Sequence, residues 1–265
     1  MKPALAVLLA VTTVCAGIVT PAHAESPYER VNSHEYAWLG TGLALCVGGF
    51  LGAKHVDPLT PAAIDALNRD DINSFDRNSM QPYRADHAGD AMVAASFLLP
   101  LGAALHGDAR HDTETIGLMW VEAAMWNAGL NYVVKAAATR TRPYVYDPNA
   151  PDDLKTAADA RFSFYSGHTA LASMNAVFAA KVFSDYSSNR NAEIAVWSGA
   201  VVYSALTGFF RVDSGHHFTT DAIAGFVAGG AIGYLVPELH HRDSNLSVTP
   251  ETGSGGFAMA ATFSF

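Results

Sequence analysis

The sequence predicts an all-α protein, a helical bundle of about six core helices that ends in a short C-terminal β-hairpin. Three observations carry this reading. Six apolar segments run through 36–53, 91–105, 116–134, 169–183, 194–210 and 222–236. Their length and their Ala, Leu and Met content suit helices, and none alternates with a period of two. The polar stretches between them hold the turn formers, and only the tail alternates: Leu246 and Val248, then Phe257, Met259, Ala261, Phe263 and Phe265, around Gly253-Ser254-Gly255-Gly256.

Taken in order, residues 1–24 read as a secretory signal. Lys2 supplies a positive start, 4–19 is a short apolar stretch, and Ala22-His23-Ala24 matches an A-x-A cleavage site. Residues 25–243 form the helical domain and 244–265 the hairpin tail. Lys2 is the one charged residue of the first 24, so the remainder carries 15 basic and 25 acidic residues, a net charge of −10. That balance argues against a nucleic-acid partner. Any anion site must then be a local basic pocket in an acidic surround. Cys46 is the one cysteine after the signal, so no intrachain disulfide supports the fold, and it is expected as a small buried hydrophobe.

Residues 54–90 form the longest polar stretch, with Pro58, Pro61 and Pro82 and the acidic group Asp70, Asp71 and Asp76. That group lacks the glycine and terminal glutamate of a calcium loop, so it reads as a solvated or locally salt-bridged loop. Residues 144–165 form a second loop. Gly225, Gly229 and Gly233 recur every four residues on the last helix, a stripe that lets another backbone come close. His106 and His111 read as loop histidines. His240-His241 read as cations at a helix C-terminus. No metal site is expected.

Three segments carry chemistry. In the third, His217 and Asp221 stand at i and i+4, which on a helix places them on one face. The carboxylate can then fix the imidazole tautomer and leave the other ring nitrogen as a nucleophile. His216 has Thr220 at that offset, so spacing selects His217. In the second, Ser166 reads as a helix N-cap, and Gly167 lets the backbone approach a ligand. The free N–H groups of that helix start suit a phosphate, and His168 would stand beside it. In the first, Lys135 and Arg142 supply cations, and Arg211 adds another fork for phosphate oxygens. Arg140 falls off the spacing and is expected at the surface.

Together, KAAATRTRP at 135–143, YSGHTA at 165–170 and RVDSGHHFTTD at 211–221 resemble the superfamily of type 2 phosphatidic acid phosphatases, bacterial non-specific acid phosphatases and vanadium haloperoxidases. The resemblance covers roughly 36–240. Tyr165 stands where proline usually precedes S-G-H, and Phe210 where serine usually precedes the arginine. The resemblance implies a bundle with its site at one end. It implies a metal-independent phosphatase acting on phosphate monoesters or lipid (pyro)phosphates through a phosphohistidine. His217 would be the nucleophile, Asp221 its orienter and His168 the proton donor. Lys135, Arg142, Arg211, Ser166 and the Gly167 amide would hold the phosphate oxygens. No cofactor is implied, apart from vanadate as a phosphate mimic or in a haloperoxidase. Two alternatives stand beside the phosphatase: that haloperoxidase, and a non-catalytic envelope protein with a relic fold.

The expected partner is a phosphorylated lipid or a small phosphoester, with contact to a membrane; nothing in the sequence fixes the oligomeric state. Most apolar segments are shorter than the ~20 residues of a typical span. Glu122 interrupts the third and Lys181 the fourth. These features favour an exported, periplasm-facing enzyme, with a membrane-embedded form as the other reading. If residue 25 is exported and all six segments cross, parity places the motifs on the cytoplasmic face.

Overall fold

Each apolar segment forms a helix or a pair of helices, and most extend beyond the apolar run. The computed structural model describes residues 26–30, 32–244, 246–253 and 256–263. The expected signal, 1–24, lies outside the described residues. The helices are α1 (Asn32–Lys54), α2 (Pro61–Asp65), α3 (Ser74–Ser79), α4 (His87–Ser96), α5 (Leu98–Ala104), α6 (Thr113–Ala138), α7 (Asp152–Lys155), α8 (Gly167–Tyr186), α9 (Arg190–Asp213) and α10 (Thr219–His240). Strands β1 (Leu246–Gly253) and β2 (Gly256–Phe263) pair antiparallel, with Leu246 opposite Phe263.

Caps explain the extra length. The Asn189 side chain accepts from the Asn191 and Ala192 amides, so α9 starts four residues before its apolar run. Thr139, in the left-handed region at φ 42°, ends α6. The second segment is two helices rather than one, broken at Phe97. Pro100 has no N–H to offer the Ser96 carbonyl, and its ring crowds that turn. The loops at 54–90 and 144–165 contain short helices, among them α2, α3 and α7.

Helix α8 lies at the centre. Its Ala170, Ala172, Met174, Phe178 and Val182 are all buried, as expected of a helix enclosed on several sides. The glycine stripe of α10 packs on it. A Cβ at Gly225 would meet the Ser166 carbonyl oxygen at 2.5 Å, and one at Gly229 or Gly233 would strike the Ala170 or Met174 carbonyl. Helix α1 packs on α6 in the same manner, with Gly129 against Leu45 Cβ. Cys46 is half-buried there, and its Sγ lies 3.2 Å from the Met125 carbonyl.

The outer faces are apolar. Leu43, Val47, Phe50 and Leu51 on α1 are exposed, as are Ile194, Val201, Val202, Leu206 and Phe209 on α9 and Ile223, Val227 and Leu235 on α10. Apolar exposure of this extent on three long helices marks a membrane or protein contact. Glu35–Lys54, Arg190–Asp213 and Thr219–His240 are long and apolar enough to cross a bilayer. Segment length therefore does not argue against a membrane, because the helices outrun the apolar runs. Nor do the two interrupting charges. Lys181 is buried and holds Asp185 at 2.7 Å and Glu238 at 3.1 Å, and Glu122 is 1% exposed. Both point into the bundle, where ionisable groups of membrane helices normally lie.

The chain enters and leaves at one end. Tyr28 bridges to His241, and the Glu29 amide donates to the His240 carbonyl at 2.8 Å. The three motif segments gather at the other end, where α1, α6 and α9 finish and α4, α8 and α10 begin.

Candidate active site

The third segment is shaped by the end of α9. The amides of His216 and His217 both donate to the Arg211 carbonyl, at 3.1 and 3.2 Å. This tight turn needs Gly215, at φ +71°, where a Cβ would also meet the Gln81 carbonyl oxygen at 2.7 Å. His217 therefore precedes α10 instead of lying on it, which corrects the shared helix face expected from the spacing. Asp221 comes close by a different route. It is the third residue of α10, and its Oδ2 accepts from the Phe218 amide at 2.9 Å. His217 Nδ1 then lies 3.6 Å from that oxygen, beyond hydrogen-bond length, and has no other partner.

The opposite ring nitrogen is engaged. Arg142 Nη1 lies 3.0 Å from His217 Nε2. A guanidinium can only donate, so Nε2 must be the acceptor and the ring proton sits on Nδ1, facing Asp221. The Nε2 lone pair thus points at the cations. His217 is 2% exposed. Burial, then Arg142 and Arg211, push its imidazole well below the ordinary value, so it is neutral near neutrality.

The cations converge from three elements. Arg142, just before Pro143, also donates to the His216 carbonyl at 3.1 Å and grips Asp159 through its carbonyl at 2.9 Å and its carboxylate at 2.9 Å. Arg211 donates to Asp86 at 2.7 Å. Lys135, in the last turn of α6, is pushed down to about 7 by burial and then by Arg142.

Ser166 caps α8 as expected, accepting from the Thr169 amide at 3.4 Å, and its own amide donates to the Asp221 carbonyl at 3.0 Å. That last bond ties the second segment to the third. Gly167 has a packing reason beside the expected one: a Cβ there would lie 2.9 Å from Asn131 Oδ1 and 3.5 Å from Lys135 Nζ. His168 is more open, and its Nε2 donates to Asp90 at 3.0 Å. Burial and then Arg211 lower it to about 4.

Sequence reasoning missed the acidic and basic support of this site. Arg140 was expected at the surface, but it donates to Asp221 at 2.6 Å and to Asp76 at 2.8 Å. It turns inward because both carboxylates are fully buried and need a cation. Asp76, from the loop read as solvated, also accepts from the Thr220 amide and hydroxyl at 2.9 and 2.6 Å. Asp70 does pair locally, with Arg77. Ser163 donates to Asp221 at 2.5 Å. Asp86, Asp90 and Asp159 carry no motif that would mark them; each is identified only by the cation it meets. His216, set aside by spacing, packs its ring on Tyr83 and Tyr144.

The arrangement combines a neutral, buried imidazole with three basic side chains and a second histidine. The PAP2 superfamily model matches residues 117–244. No curated protein matches the chain. Among solved structures, the chain is similar to the first transmembrane PAP2 type phosphatidylglycerolphosphate phosphatase from Bacillus subtilis, at 20% identity and a TM-score of 0.43, covering 89% of this chain and 94% of that one. The matched residues, 117–244, hold all three motif segments.

Proposed function

We propose that this protein is a metal-independent lipid phosphate phosphatase that works through a phosphohistidine on His217. The observation that carries the reading is the 3.0 Å approach of Arg142 Nη1 to His217 Nε2, which leaves that lone pair aimed into the cationic cradle. Substrate phosphate takes over the Arg142 N–H, along with Lys135, Arg211 and the amides at the start of α8. The Nε2 lone pair attacks phosphorus as the ester P–O bond breaks. His168 gives its proton to the leaving oxygen. In the second half, His168 takes a proton from water, the hydroxide attacks phosphorus, and the P–N electron pair returns to Nε2. Asp221 stabilises the Nδ1–H side of the ring while it carries the phosphoryl group.

The charge of bound phosphate reverses the potential at His168. Arg211, Lys135 and Arg142 depress it in the free protein, and a dianion among them offsets that effect, so the proton donor is loaded by the substrate itself.

A lipid substrate is supported by an apolar groove of about 400 Å³ beside the cradle, lined by Thr169, Gly208, Phe209, Ile223 and Phe226. Phe209 and Ile223 are open to the outside of the bundle. A chain lying there would enter from the bilayer while its headgroup reaches Lys135. On this reading the bundle sits in the membrane, with the phosphate site and the Tyr28–His241 end on opposite faces. If residues 26–30 are exported, as the expected signal implies, this arrangement puts the phosphate site on the cytoplasmic face; a periplasm-facing site requires residues 26–30 on the cytoplasmic side instead.

The test is phosphate release from a lipid phosphate in mixed micelles and from a soluble aryl phosphate, followed by trapping of labelled enzyme. His217→Ala is expected to lose nearly all turnover and all acid-labile, base-stable label. Wild-type-like turnover in that variant would refute the nucleophile assignment. Equal kcat/KM for both substrates would remove the lipid preference.

A further inference from the structure

At the end of the bundle opposite the phosphate cradle, three helices each bury one ionisable side chain at a common point. Glu35 comes from the first turn of α1, Glu122 from α6, and His240 is the last residue of α10. They are 5%, 1% and 8% exposed. One ligand atom from each lies within 4.8 Å of the others. His240 Nε2 is 3.2 Å from Glu35 Oε1 and 3.3 Å from Glu122 Oε2. The second ring nitrogen, Nδ1, is 2.7 Å from the Val236 carbonyl. A carbonyl only accepts, so Nδ1 holds a proton whether or not an ion is bound; Nε2, which can share a second proton with the two carboxylates, is the nitrogen that meets an ion once that proton leaves. Neither Glu122 oxygen has a hydrogen-bond partner, although this is the most buried residue of the three. An unsatisfied buried carboxylate asks for an explanation.

The phosphate chemistry does not supply one. Glu122 precedes Lys135 by 13 residues on one helix, which is roughly 20 Å along its axis. Stripped of its shared protons, the cluster carries two negative charges in a buried place, and a divalent cation cancels both. The spacing also fits. Bonds of about 2.0–2.1 Å in a tetrahedral shell hold neighbouring ligand atoms roughly 3.3–3.4 Å apart. The two approaches to His240 Nε2, at 3.2 and 3.3 Å, match that separation. One imidazole nitrogen with two carboxylate oxygens suits zinc or a similar first-row ion. Calcium, which takes six to eight oxygens, is a poor fit.

The geometry points to a binding site for a zinc-class divalent cation at Glu35, Glu122 and His240, tying α1, α6 and α10 together at the end remote from the phosphate cradle. Its role is structural, and water completes the coordination shell. Without the ion the cluster must balance its charge with extra protons, so metal uptake releases protons.

The test uses full-length protein purified in detergent, stripped with chelator, equilibrated with zinc chloride and desalted. The expected result is one zinc per chain by mass spectrometry, a raised unfolding midpoint, and proton release on titration. Glu122→Gln and His240→Asn should each weaken zinc binding by more than the ~10–100-fold that a lost second-shell partner costs. Phosphate release, which reports that the variants are folded, should persist in both. Should neither variant fold, Glu35→Gln takes their place. Wild type that retains no zinc and shows no shift in midpoint overturns the proposal, and so does zinc retained equally by a folded variant.

Discussion

Arg140→Ala is the substitution that best separates support of the site from its chemistry. Arg140 bridges Asp76 and Asp221, both fully buried, and its own side chain is 25% exposed. The change removes two hydrogen bonds to carboxylates, of 2.8 and 2.6 Å, along with a weaker one to the Thr220 hydroxyl at 2.8 Å. At ~1.5–3 kcal/mol each, the loss of the two carboxylate bonds sums to about 3–6 kcal/mol. Breaking a buried ion pair by removing one partner independently suggests ~3–5 kcal/mol. The two figures agree near ~4 kcal/mol, and at ~2–4 °C per kcal/mol the midpoint should fall by roughly 8–16 °C. Asp76 keeps its bonds from Asn73 and Thr220, and Asp221 keeps those from Ser163 and Phe218. The fold should therefore survive at room temperature. Turnover should drop ~10–100-fold, because an uncompensated Asp221 no longer presents a fixed charge to His217 Nδ1. The assay is tryptophan-fluorescence unfolding in detergent beside phosphate release, with Asp76→Asn as the second arm of a double-mutant cycle. Arg140→Ala should cost less in the Asp76→Asn background, since one of its carboxylates is already neutral. Additive effects, or a midpoint unchanged by Arg140→Ala alone, would refute the bridging role.

Two further outcomes follow from the same geometry. Burial and then Arg142 push Lys135 down to about 7 in the free protein, so its positive charge is present below that pH and lost above it. The wild-type kcat/KM should therefore decline relative to that of Lys135→Arg as pH rises through about 7, the ratio cancelling the titration of the substrate; parallel profiles would remove the lysine from phosphate binding. Glu29→Cys and Asp153→Cys, made in a Cys15→Ser, Cys46→Ser background, should react with an impermeant maleimide from opposite sides of the membrane, and labelling of both from one side would sink the spanning arrangement.

The helices were legible because burial wrote itself into composition. Six apolar runs separated by turn formers gave the order of the long helices but not the number of helices, since the second run is two, and the glycine stripe of α10 announced a close helix contact with α8. What composition could not give was where each helix ends, since Asn189 and Thr139 act through caps that lie outside the apolar pattern. Lys181 and Glu122 misled for a related reason. A charge in an apolar run looks like a break until its partner, distant in sequence, is known; Lys181 finds Glu238, which is 57 residues away. His240 misled in the same way.

The site was legible only where chemistry is local. Ser166 caps its own helix and Arg142 stands against Pro143, so both are readable from neighbours in the chain. Spacing pairs His217, not His216, with Asp221, and the structure does place the two 3.6 Å apart, but not for the expected reason. The i, i+4 argument assumes a helix, whereas the observed closeness comes from Asp221 folding back onto the Phe218 amide. The acids could not be read at all. Asp90 and Asp159 serve as counter-ions, and Asp86 adds to that role the N-cap of α4, accepting from the Gly89 amide at 2.7 Å. Their exposures differ, however. Asp86 is buried with Arg211, whereas the side chains of Asp90 and Asp159 are 65% and 63% exposed. An arriving phosphate can displace the two exposed carboxylates into water at little desolvation cost, but not the buried one. Under the proposed mechanism, Arg211 is therefore held in place before substrate arrives, while Arg142 and His168 exchange an exposed carboxylate for phosphate. An acidic chain can in this way keep a cationic cradle folded and close to neutral until its substrate replaces those counter-ions.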